Sequence, residues 1–126
     1  MDIDEQVSFL EEAYRSFNDR DVETLLSMMT DDVEWPDVAR GKVLRGKAAI
    51  RPYWAAQFET ADPRVTPTAY IPTGDDLVAV VEQRIFDLEG KALTPLTVVY
   101  HRYSFEGDLV RRMQVFDDRN AAVIPR

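Results

Sequence analysis

Apolar residues recur every three or four positions at the start of this chain and every second position towards its end. Ile3, Val7, Leu10, Tyr14 and Phe17 alternate with Asp4, Glu5, Glu11, Glu12 and Arg15, which predicts an amphipathic helix over Asp2–Asn18 with one face turned to a core. The polar run Asn18-Asp19-Arg20-Asp21 interrupts that pattern. Asp21 can cap a second, shorter helix reaching Met29, with Val22, Leu25, Leu26 and Met29 on its apolar side, so two helices meet at a tight corner. Thr30-Asp31-Asp32 ends the second helix, and Val33-Glu34-Trp35 reads as a short strand stopped by Pro36. Asp37–Gly46 is a polar loop too irregular to assign. Lys47–Thr60 predicts a third helix, in which Ile50, Tyr53, Trp54, Ala56 and Phe58 place bulk on several sides and Pro52 predicts a kink.

From Arg64 onward the period is two. Strands are predicted over Val65–Ile71, Leu77–Leu88, Leu93–Phe105 and Leu109–Asp118, joined by turns at Pro72–Asp76, Glu89-Gly90-Lys91 and Glu106-Gly107-Asp108. Three helices followed by a strongly twisted antiparallel meander make an α+β fold with the helices on one face of the sheet. Strand parity sorts the faces. Val81, Gln83 and Ile85 share one, as do Val99, His101 and Tyr103, and Met113, Val115 and Asp117; this face has fewer charges and is expected to meet the helices. Val80, Glu82, Arg84, Phe86, Tyr100, Arg102, Arg112 and Phe116 face the other way, where charges can pair across strands or across a dimer seam.

The 126 residues fit one domain over 1–126, and 45% hydrophobic content supplies its core. The net charge of −8 repels phosphate backbones and anionic bilayers, so neither nucleic acid nor membrane is an expected partner. With no cysteine and a single histidine, disulfides, thiolate nucleophiles and sulfur-bound zinc drop out, and no metal site is expected. There is no phosphate-binding glycine loop and no GxSxG elbow, so no cofactor is expected. The acidic start MDIDEQ is unlike a targeting peptide and no apolar run spans a bilayer, so a cytoplasmic location is expected.

Several segments carry a family resemblance: Tyr14 to Leu26, Thr30-Asp31-Asp32-Val33-Glu34-Trp35, Leu44-Arg45-Gly46-Lys47-Ala48-Ala49-Ile50, and Tyr103 to Val110 with Phe116-Asp117. Together they resemble the SnoaL-like branch of the nuclear transport factor 2-like superfamily, over nearly the whole chain. The resemblance implies a ketosteroid isomerase-like fold, three helices on a curved antiparallel or mixed sheet that forms a cone around a pocket. It also implies cyclase, isomerase or dehydratase chemistry without a cofactor, or a non-catalytic module that uses the same cone for binding or dimerisation. By that resemblance Asp37 stands where isomerases keep a proton-moving aspartate, His101 where they place an oxyanion donor, and Asp117 where cyclases keep an acid/base aspartate. The isomerases' oxyanion tyrosine aligns with Ala13, with Tyr14 one step round the helix.

Each candidate also has a plain structural reading. A lone His101 between Val99 and Tyr103 can be a hydrogen-bonded core residue, and Asp37 after Pro36 can be ordinary turn chemistry. Asp117 and Asp118 must face opposite ways, and parity selects Asp117. Tyr14, Trp35, Tyr53, Trp54, Phe58 and Tyr103 are core-like individually. Gathered near one inward face with Gln83, they line a largely apolar pocket suited to a small, flat, carbonyl-bearing ligand. The alternation of Val80, Phe86, Tyr100 and Phe116 with charges on the outer face predicts a homodimer there.

Overall fold

The computed structural model describes residues 1–125. Helix α1 covers Ile3–Asn18 and is started by a reciprocal capping box between Asp2 and Glu5. Its end is made by Arg20, a non-glycine residue at φ +62°, whose guanidinium donates to the carbonyls of Phe17 and Pro63, pairs with Asp62, and lies 4.3 Å from the centre of the Phe58 ring. These bonds offset the strain of the left-handed backbone and fasten α1 to the start of the third strand. Asn18 adds to the joint by donating to the Val65 carbonyl and accepting from the Val65 amide.

Helix α2 is Val22–Ser27, capped by Asp21, and ends two residues before the predicted Met29. Met29 instead opens strand β1, Met29–Asp37, because Met28 accepts from the Val110 amide and so enters the sheet. The predicted stop at Pro36 does not occur. Val33 accepts from the Gly46 amide, so by alternation Pro36 turns its missing N–H away from strand β2 (Lys42–Arg45), and on that side pairing with strand β6 (Leu109–Phe116) has already ended at Glu34. The segment read as irregular holds one turn of 3-10 helix, Val38–Arg40, closed by Gly41 at φ +64°, followed by β2. Helix α3 is Lys47–Thr60 and runs through Pro52.

Strands β3 (Asp62–Thr73), β4 (Asp76–Phe86), β5 (Thr97–Glu106) and β6 form the antiparallel meander. Strand β5 starts later than Leu93 because the Asp87 carboxylate gathers the amides of Glu89 and Lys91 into a turn, and Pro95 lacks a donor for the ladder. The six strands are ordered β2-β1-β6-β5-β4-β3, with β1 and β6 parallel and the other neighbours antiparallel. Register breaks at Thr68 of β3, between Ser104 and Phe105 of β5, and along β1 bend the sheet. The fold is α+β, a mixed sheet curved into a cone around α1 and α3, with a core of Leu10, Ile50, Trp54, Leu77 and Val81 fully buried inside it.

Outside the sheet a short helix α4, Arg119–Ala122, packs against β5 and β6 and returns over Arg102. Arg102 is therefore buried rather than on an open face: it pairs with Asp76 at 2.7 Å and donates to the carbonyls of Ala122 and Ile124. Among the described residues no helix is long and apolar enough to cross a membrane.

Candidate functional site

The concave side encloses a cavity of about 670 Å³ whose walls come from α1, α3, β1 and the meander. Parity accounts for most of the sheet wall, with Gln83 and Ile85 of β4, Val99, His101 and Tyr103 of β5, and Met113 and Val115 of β6 turned inward. At the end of β6 both Phe116, expected on the outer face, and Asp117, just past the strand, line the cavity, because the alternation holds only within the paired strand. Trp35 and Trp54 meet edge to face, centroids 5.4 Å apart, and with Phe17, Tyr53 and Leu10 complete an apolar lining.

The polar groups fall at two depths. At the buried end the Tyr14 hydroxyl lies 2.8 Å from Nδ1 of His101 and 2.8 Å from the Tyr103 hydroxyl, and the Tyr14 and His101 rings stack at 19°. Burial lowers the pKa of His101 to about 4, so the imidazole is neutral near pH 7. Burial also raises both phenols, so each keeps its proton. The other imidazole nitrogen, Nε2, has no partner among the described residues, yet it is not sealed in as the Tyr70 hydroxyl is. At the outer end Gln57, Gln83 and Tyr53 are half-buried and Asp117 is exposed.

Eight of the ten expected site residues, Tyr14, Trp35, Tyr53, Trp54, Gln83, His101, Tyr103 and Asp117, line this one cavity. Two do not. Phe58 turns to the Arg20 joint and packs edge to face on Phe17, because the α3 face toward the cavity is set by Tyr53, Trp54 and Gln57. Asp37 is buried, but its carboxylate accepts from the Arg40 amide at 3.3 Å and pairs with the Arg40 guanidinium at 3.2 Å, leaving Pro36, Val38 and Ala39 to line the wall. It caps the 3-10 turn, and its charge together with burial raises the neighbouring Tyr53 pKa. Gln57 is a further polar wall residue, brought there by its spacing of four from Tyr53 on α3. Tyr14, which the family resemblance places one step from the isomerase tyrosine, is the residue that reaches His101.

The model of the SnoaL-like domain matches residues 10–113. The chain belongs to this family. No curated protein matches the sequence. Among solved structures, this SnoaL-like chain is similar to TerC co-crystallised with polyporic acid, at 26% identity over 93% of this chain and 94% of that one, with a TM-score of 0.77. It shares its fold with the Delta 5-3-ketosteroid isomerase of a Mycobacterium species (20% identity, 91% and 94% covered, TM-score 0.75). The same holds for a Mycobacterium tuberculosis protein in complex with estradiol-17beta-hemisuccinate (17% identity, 90% and 94% covered, TM-score 0.74).

Proposed function

We propose that this SnoaL-like domain is a cofactor-independent cyclase, isomerase or dehydratase that works by acid/base catalysis on an apolar carbonyl compound held in the cone. The observation that carries the reading is His101, a neutral imidazole at the buried end of an apolar cavity, with one nitrogen held by Tyr14 and the other unpartnered. In a low-dielectric site such a group hydrogen-bonds the substrate oxygen as negative charge develops on it. Asp117 lines the same cavity as His101 and is the carboxylate among the lining residues, so it is the base that removes or returns the proton. Aromatic walls suit flat ligands, in keeping with the polyporic acid of TerC, the relative at 26% identity.

One observation favours a second reading, a binding module without chemistry. Asp37, the carboxylate that resemblance casts as the base, is tied to Arg40, and Asp117 stands at the exposed mouth. We further propose that two copies associate through the outer sheet face around Val80, Phe86 and Tyr100, and that the domain works in the cytoplasm.

Thermal-shift screening with aromatic ketones, polyketide fragments and steroids should find a stabilising ligand, with turnover then followed for the wild type, Asp117→Asn and His101→Asn. The enzyme reading expects both variants to fold and bind while losing turnover. A wild type that binds such a ligand and releases it unchanged supports the binding module instead.

A further inference from the structure

Three groups and two hydrogen bonds at the buried end of the cavity leave little freedom in where the protons sit. Tyr103, Tyr14 and His101 form a chain with steps of 2.8 Å each, and all three residues are buried. Each phenol carries one hydrogen. If Nδ1 of His101 carried a proton and donated it to Tyr14, then Tyr14 would donate to Tyr103, and the Tyr103 hydrogen would end without an acceptor among the described residues. A buried donor without a partner is costly. In the opposite sense Tyr103 donates to Tyr14 and Tyr14 donates to Nδ1, so every hydrogen in the chain is used and only lone pairs are left over. The imidazole proton then sits on Nε2, the nitrogen that has no partner in the chain and is not sealed off.

We propose that Tyr103 and Tyr14 are positioning residues that hold His101 in its Nε2–H tautomer, so that the buried end of the cavity presents a hydrogen-bond donor and selects ligands bearing an oxygen acceptor. This rests on the function proposed above and narrows it. The substrate class is a flat apolar molecule with a ketone, quinone or enolate oxygen at its leading end; ligands that lead with a donor alone are disfavoured. Tyr14 spends its own proton on His101 and is not itself a second donor to the ligand. Leu10, Val99 and Met113, which also line the cavity, bring no N–H or O–H side-chain donor to it.

Because the chain has one histidine, isotope-labelled histidine gives a single pair of ring-nitrogen NMR signals. In the ligand-free wild type the expected spectrum has Nε2 protonated and Nδ1 unprotonated. Tyr14→Phe, which removes the donor to Nδ1, is expected to yield a mixture of tautomers. A matched pair of probes reads the consequence for binding: acetylnaphthalene carries a carbonyl oxygen where isopropenylnaphthalene carries a methylene of similar shape. Wild type is expected to prefer the ketone by about five- to tenfold, the size of one hydrogen bond, and Tyr14→Phe to lower that preference in proportion to its remaining Nε2–H fraction, by about twofold for an even mixture. A protonated Nδ1 in the wild type overturns the proposal even if Tyr14→Phe fails to fold, as does equal affinity for the two probes. Neither result bears on turnover: failure to convert any carbonyl compound would count against the proposed enzyme while leaving the tautomer where the spectrum puts it.

Discussion

The phenol of Tyr14 on α1 and the imidazole of His101 on β5, separated by 87 residues of chain, meet at 2.8 Å with their rings stacked. The pair joins the first helix to the middle of the meander inside a lining that is otherwise mostly apolar. Stability and the proposed function therefore share the same atoms, and the two can be separated by substitution.

Tyr14 takes part in both bonds of the chain and Tyr103 in one. Tyr14→Phe strands a buried Nδ1 and a buried Tyr103 hydroxyl, so it is expected to lower unfolding free energy by about 1–3 kcal/mol, and Tyr103→Phe by less. Urea denaturation of the two variants checks the order; a larger loss for Tyr103→Phe contradicts it.

His101 also predicts how stability depends on acid. Its folded pKa, about 4, lies below the ordinary value of 6.5, so the unfolded chain binds a proton that the folded chain refuses. Stability from this group is complete above about pH 6.5, falls as pH drops, and levels off below about pH 4, for a loss on the order of 3 kcal/mol. Unfolding midpoints at pH 7 and pH 4.5 should therefore differ more in wild type than in His101→Asn. Parallel profiles for the two proteins would rule this out.

The two aspartates are expected to behave in opposite ways. Asp37→Ala removes the cap of the 3-10 turn and leaves Arg40 without its partner, with an expected cost of about 1 kcal/mol in stability. Asp117→Asn, at an exposed position, should leave the melting temperature unchanged and depress turnover of any substrate found. Melting temperature and rate, measured on both variants, test the assignment; a stable Asp37→Ala with lost turnover reverses it.

On the outer face Val80, Phe86 and Tyr100 remain half-buried in the single chain, while the α4 segment covers Arg102. Sedimentation at micromolar concentration is expected to give a dimer of two 14.5 kDa chains, and Tyr100→Glu a monomer. A wild-type monomer removes the dimer.

The elements with strong local periodicity were legible directly. The α1 pattern and the boundaries of α3 at Lys47 and Thr60 follow from helical spacing, and strand parity alone placed Gln83, His101 and Tyr103 on one inward face, since a period of two leaves no third choice. What the chain did not reveal locally depends on groups far apart in sequence. Strand β1 extends past Pro36 because pairing on one side has already ended there, and Arg102 is buried because α4 returns over it. Phe58 leaves the cavity because Arg20, on a left-handed turn 38 positions earlier, holds its ring. Asp37 shows the same limit: its side chain had both a turn to cap and a cavity to face, and the closure of Val38–Arg40 by Gly41 brought the Arg40 amide and guanidinium to it first. Sequence period decides which side of an element a residue occupies. Only the packed structure decides which partner, helix, ion or cavity waits on that side, because hydrogen bonds and ion pairs are set by distances that the local pattern does not contain.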